Sequence, residues 1–158
     1  MRAGVVSDIH GSYDRLNQAT EAMGPIDLLI HAGDGFNELA RWRKEHPRIQ
    51  VRMVAGNCDL YADCPEEVTF NLDRWQVLLT HGHLYGAKAN LTRLWLRARQ
   101  AGASLVIFGH THRAEKVDRH GIIFFNPGSL SQFRPPGILS YGTIDVGPEG
   151  LEAEIRYL

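Results

Sequence analysis

Cysteine is scarce in this 158-residue chain, with Cys58 and Cys64 as its two thiols. Two are too few for a disulfide framework, so the reducing cytoplasm is the expected compartment. No single sign of charge dominates: 17 basic side chains face 18 acidic ones, and the net charge is −1 with histidine neutral. That balance excludes a global pull toward nucleic acid or an anionic membrane. No apolar run approaches the length of a bilayer span. No low-complexity tract or solenoid repeat is present. No cleavage-site pattern follows Ala3-Gly4-Val5-Val6, so no signal peptide is expected. The length suits one domain over residues 1–158. Phe133-Arg134-Pro135-Pro136-Gly137 is the longest Gly/Pro-rich piece and reads as a turn or surface loop, not a linker.

What is present is a regular alternation of apolar runs and helical stripes. Arg2 to Ser7 reads as a strand. Ser12 reads as a helix N-cap, with Leu16, Ala19 and Met23 as the apolar stripe and Gly24-Pro25 as the stop. Asp27 to His31 is a continuous apolar run, a helix follows around Leu39 to Glu45, and Ile49 to Ala55 is a third strand. Strand, helix, strand, helix, strand favours a parallel sheet with crossover helices. Val68 to Leu72 and Trp75 to Thr80 then read as a hairpin, Lys88 to Gln100 as a helix and Ser104 to Phe108 as a strand. In that helix Leu91, Leu94, Trp95 and Ala98 share one face, with Arg93 and Arg97 on the other. Ala114 to Asp118 with Ile122 to Asn126, and Leu139 to Val146 with Leu151 to Tyr157, read as antiparallel pairs. The expected class is α/β, with mixed sheets in a layered domain.

Most of these strands end in metal-type side chains beside glycine: Asp8-Ile9-His10, Gly33-Asp34, Gly56-Asn57, Thr80-His81-Gly82-His83 and Gly109-His110-Thr111-His112. Ligands bind beyond the carboxyl ends of parallel strands in open α/β sheets. Asp8 and His10, like His110 and His112, are two residues apart. On an extended segment that spacing aims both side chains to one side. The donors are carboxylate, imidazole and amide carbonyl, with no thiolate. This set suits Mn²⁺, Fe or Zn²⁺, suits Mg²⁺ less well, and argues against an iron–sulfur or Cys–zinc site. Asp8, His10, Asp34, Asn57, His81, His110 and His112 exceed what one ion takes while keeping an open position. Two ions about 3.5–4 Å apart fit better, an arrangement that serves in-line displacement at phosphorus.

In this order the motifs resemble the series of the calcineurin-like metallophosphoesterases. Gly56-Asn57-Cys58-Asp59, Asn126-Pro127-Gly128-Ser129 and the short length resemble the family's small single-domain branch of bacterial and archaeal phosphodiesterases. The resemblance implies a four-layer α-β-β-α sandwich. It implies one metal on Asp8, His10, Asp34 and His112, and a second on Asp34, Asn57, His81 and His110, with Asp34 bridging. Manganese is the first choice, with Fe, Zn, Ni and Mg as alternatives. A water-derived hydroxide would attack phosphorus directly, with no covalent enzyme intermediate. The expected substrate is a small-molecule or nucleotide-like phosphodiester, and a homo-oligomer remains open.

Two positions depart from the family pattern. Cys58 stands where larger members carry a histidine able to protonate the leaving oxygen, and Asn37 stands where many carry a second aspartate. A thiol with a reference pKa of about 8.5 is a poor substitute acid. Slow turnover favouring activated aryl leaving groups is therefore expected, with His83 as a substitute acid that the sequence does not position. Asp59 would orient a neighbouring ligand, and the Asn126–Ser129 turn would support the site. Arg134 could reach a substrate phosphate. His31 is expected to be hydrogen-bonded and structural, His46 and His120 solvated, and Cys64 inert. Arg41, Arg43 and Lys44, with Arg93, Arg97 and Arg99, read as solvated helix faces. Trp42, Trp75 and Tyr61 read as exposed aromatics. The rival to catalysis is a non-catalytic protein-binding scaffold on the same fold, in which ligand positions are typically replaced. All seven matching positions are kept here.

Overall fold

The computed structural model describes residues 1–132 and 137–158. Its first half runs β1 (Arg2–Val6), α1 (Tyr13–Met23), β2 (Leu28–His31), α2 (Phe36–Glu45) and β3 (Gln50–Met53). Then come β4 (Glu67–Leu72), β5 (Trp75–Thr80), a 3-10 turn (His83–Tyr85), α3 (Thr92–Gln100) and β6 (Leu105–Ile107). β7 (Glu115–Arg119), β8 (Ile122–Asn126), β9 (Ser140–Gly147) and β10 (Gly150–Tyr157) complete it. The strands form two five-stranded sheets, ordered β10-β9-β1-β2-β3 and β4-β5-β6-β8-β7. β1, β2 and β3 are parallel, as are β5, β6 and β8. β4 and β7 pair antiparallel at the two edges of the second sheet, while the antiparallel β9–β10 pair flanks β1.

Alternate residues of the central strands go to opposite faces, and both faces are apolar. Ala3 and Val5 of β1, with Leu28 and Ile30 of β2, meet Val77, Leu79, Leu105 and Ile107 of the other sheet in a core between the two. Their neighbours Val6 and Leu29 pack outward against Leu16, Ala19 and Met23 of α1 and Leu39 and Trp42 of α2. Leu78 and Val106 pack against Leu91, Leu94 and Ala98 on the opposite outer face. This is the period of two that a strand buried on both faces requires. Each large side chain removed from water contributes about 1.5–3 kcal/mol. The result is the expected α-β-β-α layering. No helix among the described residues is long and apolar enough to cross a membrane.

Several local expectations are corrected. α2 begins at Phe36, earlier than Leu39, because the Asp59 carboxylate accepts the Gly35 and Phe36 amides at its N-terminus (2.9 Å each). α3 begins at Thr92, later than Lys88: a left-handed Gly86 closes the preceding turn, and Asn90 Oδ1 accepts the Thr92 amide (3.0 Å). Trp42 is buried; its Nε1 donates to Thr20 Oγ1 (3.3 Å). His46 stacks on that indole at 4.1 Å and its Nδ1 bonds the Trp42 carbonyl, so it closes α2 and is not simply solvated. Trp75 is half-buried, whereas Tyr61 is fully exposed. Arg97 is half-buried and its Nε donates to Glu67 of β4 at 2.9 Å, so only part of that basic face is solvated. Arg134, with residues 133–136, lies outside the described residues.

Candidate metal centre

Both parallel strand sets end on the same rim. Past β1 come Asp8 and His10, past β2 Asp34, past β5 His81, and past β6 His110 and His112. Asp8, His10 and His112 offer ligand atoms that all lie within 4.8 Å of one another; so do Asp8, Asp34 and His81, and so do His10, Asp34 and Cys58. Asp8 Oδ1 is 3.0 Å from His112 Nε2, 3.6 Å from His10 Nε2 and 4.0 Å from His81 Nε2. Asp34 Oδ2 is 3.4 Å from His81 Nε2 and 3.7 Å from His10 Nε2.

The other carboxylate oxygens of Asp8 and Asp34 and the Nδ1 of His81 are already engaged, which fixes what is left over. Asp8 Oδ2 accepts from Ser7 Oγ (2.6 Å) and the His110 amide (3.0 Å). Asp34 Oδ1 accepts the Cys58 amide at 2.7 Å. With its Nδ1 protonated, His81 donates to the Ala32 carbonyl at 2.7 Å, leaving the Nε2 lone pair facing the carboxylates. Asp8 Oδ1 and His81 Nε2 are buried without a hydrogen-bond partner. Buried polar atoms are normally satisfied. An unpaired carboxylate oxygen converging with an imidazole lone pair is satisfied by a cation, and the donor set fits a divalent one.

Charge follows the geometry. Burial raises the pKa of Asp8, but His10, His112, His81 and the Ser7 hydroxyl hold it well below the usual carboxylate range. Burial likewise raises Asp34, and His81 with the Cys58 amide more than offsets it. For His81, burial lowers the pKa, but Asp34 and Asp8 carry it above its ordinary value.

The ligand loops are not extended. Asp8 (φ 53°), His10 (45°), Asp34 (59°), His110 (67°) and His112 (59°) are all left-handed. Each such residue costs on the order of 1 kcal/mol and persists where the surroundings over-determine it. The side-by-side argument from two-residue spacing is therefore corrected. Asp8 and His10 converge through a left-handed turn, and His112 joins them while His110 goes to His81, ring centroids 5.0 Å apart. Burial, then His81 and Lys88, push His110 down to about 4. Asn57 is exposed, with its amide nitrogen 3.4 Å from Cys58 Sγ. Asp8, His10, Asp34, His81 and His112 thus come together directly. His110 stands alongside, Cys58 Sγ converges with His10 and Asp34, and the exposed Asn57 amide lies beside that sulfur.

The supporting residues are mostly polar side chains buried behind the site. Asp59 accepts four backbone amides, those of Asp34 (2.7 Å), Gly35 (2.9 Å), Phe36 (2.9 Å) and Gly56 (2.8 Å), and so ties two ligand loops together. Asn126 donates to the Gly109 carbonyl (2.9 Å) and Thr111 Oγ1 (3.1 Å), and Ser129 Oγ donates to the Asp8 carbonyl (2.9 Å). Ser7 is the supporter that sequence reasoning missed; its signal was a hydroxyl closing an otherwise apolar run. A Cβ on Gly56 would lie 2.0 Å from Asp34 Oδ1, and one on Gly109 would lie 1.9 Å from Ser7 Oγ, so both positions need glycine for close approach. His83 stands near the centre, 5.4 Å from the His81 ring and 6.1 Å from that of His110, with Nε2 3.4 Å from Glu66 Oε1. His31 is buried with neither ring nitrogen hydrogen-bonded among the described residues, which corrects its expected bonding; burial pushes it down to about 4. Burial, with Asp59 and Asp63, raises the Cys64 thiol to about 11, so it stays protonated.

The sequence profile of the calcineurin-like phosphoesterase superfamily domain matches residues 1–148. The chain belongs to this superfamily. It is 33% identical to the probable metallophosphoesterase YsnB of Bacillus subtilis, over 99% of this chain and 90% of that one. It is 30% identical to the phosphodiesterase YfcE of Escherichia coli, over 92% and 88% of the two chains. Among solved structures, a predicted phosphoesterase from Streptococcus pneumoniae superimposes with a TM-score of 0.77 at 26% identity, over 98% and 97% of the chains. Vps29 of Entamoeba histolytica superimposes with a TM-score of 0.75 at 20% identity, over 100% and 99%, a likeness of fold alone. Membership in this superfamily and the YfcE relationship support a metal-dependent hydrolase of phosphate esters.

Proposed function

We propose that this superfamily member is a dinuclear phosphodiesterase acting on a small or nucleotide-like diester. Asp8, His10, Asp34 and His112 would hold one ion, and Asp34, Asn57, His81 and His110 the other. The observation that carries the reading is the pair of buried, unpartnered atoms Asp8 Oδ1 and His81 Nε2 beside Asp34. Asp34 Oδ2 lies between His81 and His10, the position a bridging carboxylate needs.

Bound there, two divalent ions, manganese first among Fe, Zn, Ni and Mg, supply Lewis acidity to phosphoryl oxygens and make hydroxide accessible near neutral pH. The chain's own residues hold and orient. Ser7 and the His110 amide fix the Asp8 carboxylate, the Ala32 carbonyl fixes the His81 tautomer, and Asp59 fixes the Asp34 loop. Asn57, His81 and His110 would orient the phosphoryl group while the water oxygen bonds phosphorus, the ester P–O bond opposite breaks and the leaving alkoxide takes up a proton, with no covalent enzyme intermediate. Cys58 is exposed with its Sγ near His10 and Asp34, and a thiol is a poorer general acid than an imidazolium in that place. Activated leaving groups are therefore favoured.

Hydrolysis of bis(p-nitrophenyl) phosphate with Mn²⁺ tests this, alongside elemental analysis of bound metal. Asp34→Asn and His81→Ala should each lose more than about 100-fold in rate and bind less metal. Activity indifferent to metal and to both substitutions overturns the reading and favours the scaffold alternative.

A further inference from the structure

The first sheet ends on an open edge at β3. β3 is the last strand of its sheet, and its residues alternate in which way their backbone points. The Gln50 and Val54 amides bond inward to the Asp27 and His31 carbonyls of the β2 segment. The Ala55 amide points the other way and is taken by the Pro65 carbonyl at 2.8 Å. Val51 and Met53 share the outward parity of Ala55, so their N–H and C=O groups face away from β2 with no backbone partner among the described residues. The chain caps its own edge at Ala55 and leaves the next two outward positions open.

Two hollows flank this open stretch. One, of about 830 Å³, lies on the α2 side; the other, of about 420 Å³, lies on the β4 side; both are lined by Arg43, Val51, Arg52, Met53 and Asp63. An added strand sends alternate side chains to opposite faces, one row into each hollow. The first hollow has half-buried apolar residues such as Phe36 and Ile49, rimmed by Arg43, Lys44, Arg48 and Arg52, with Asp63 as the single acid among its lining residues. Arg41 on the same helix is paired with Glu45, whereas no carboxylate pairs with those four cations among the described residues. Arg52 lies 5.8 Å above the Phe70 ring on the β4 side, so a cation borders the second row too.

We infer that this edge docks an extended acidic segment of a partner protein, which adds as a strand beside β3 with carboxylates against Arg43, Lys44, Arg48 and Arg52. Three candidate occupants separate on chemistry. A polynucleotide backbone offers phosphate acceptors but no N–H to satisfy the outward carbonyls of Val51 and Met53. A second copy of this chain paired edge to edge brings the basic rims around Arg48 and Arg52 together, and like charges across a strand pair are destabilising. An acidic peptide supplies donors, acceptors and complementary charge together. The inference is independent of the metal centre.

The test selects a displayed random library of peptides of about nine residues against the full-length chain. Selected sequences should alternate Asp or Glu with apolar residues. With a synthetic selected peptide, amide exchange at Val51 and Met53 should slow at least about 10-fold, while the β2-paired amide of Arg52 stays unchanged. Arg48→Glu with Arg52→Glu should weaken binding at least about 10-fold. Val51→Pro should do the same, because it removes an outward N–H and leaves the β2 ladder intact. Both variants should retain bis(p-nitrophenyl) phosphate hydrolysis, so a failure here is distinct from a failure of the metal centre. Selection of uncharged or basic peptides overturns the inference, as does unchanged exchange at Val51 and Met53. So does equal displacement by oligothymidylate, which assigns the edge to polyanions. Concentration-dependent self-association that protects the same amides overturns it in favour of a second copy.

Discussion

The Asp59 carboxylate is not among the proposed ligands, yet four amides from two ligand loops end on it. Asp59→Ala leaves those N–H groups unpaired, so urea denaturation should show a loss of about 2–3 kcal/mol, and titration should show Mn²⁺ affinity falling about 10–100-fold. His31 sets a pH dependence of the metal-free protein. Its folded pKa of about 4 lies below the ordinary 6.5, so the unfolded chain takes up a proton first as pH falls. The His31 contribution is nil above about pH 6.5 and lowers stability toward pH 4 by about 1.4 kcal/mol per pH unit at most, in the same window as that of His110. His31→Gln should flatten that decline in denaturant melts run with a chelator. At Cys58, restoring histidine should raise turnover of alkyl diesters while changing p-nitrophenyl diesters little. Ligand residues were legible because carboxylate and imidazole types beside glycine announce their chemistry. The left-handed backbone of Asp8, His10, Asp34, His110 and His112 was not, since Asp and His are enriched at positive φ but most of them still adopt negative φ.

Elements were legible where burial on both faces gave uninterrupted apolar runs, as in Leu28 to Ile30 and Val77 to Leu79. Their ends were less so, because caps are set at a distance. α2 starts where it does because of Asp59, and no local pattern in residues 34–38 carries that information. The edge position of β3 was equally hidden, since its alternating exposure follows from neighbours chosen by topology. β8 shows the same long reach. Its last residue, Asn126, bonds the loop that follows β6. Asn126→Ala should cost about 1–3 kcal/mol in thermal or urea unfolding and lower metal-dependent hydrolysis, because the Gly109 carbonyl loses its buried donor.

At the scale of the molecule, the apolar runs gave a layered α/β domain with mixed sheets, while the stacking of two sheets between helices came from the family resemblance and not from those runs. A strand buried on both sides looks the same in one broad sheet as in two stacked ones. The stacked arrangement concentrates two carboxylates, three histidines and five residues of left-handed backbone on one rim. Filling the centre should therefore stabilise the whole fold. At 100 times the dissociation constant a bound ion adds about 2.7 kcal/mol, so Mn²⁺ should raise the melting temperature by about 5 °C or more. EDTA should reverse the rise, and Asp34→Asn should abolish it in calorimetry.

Asp8, His10 and Asp34 hang from one sheet, whereas His81 and His112 hang from the other. Neither half owns a complete cage. During refolding, cation uptake must wait until the halves have closed on their shared apolar seam, so its onset times the last act of assembly. A dye that reports free Mn²⁺ would serve as a clock for that closure.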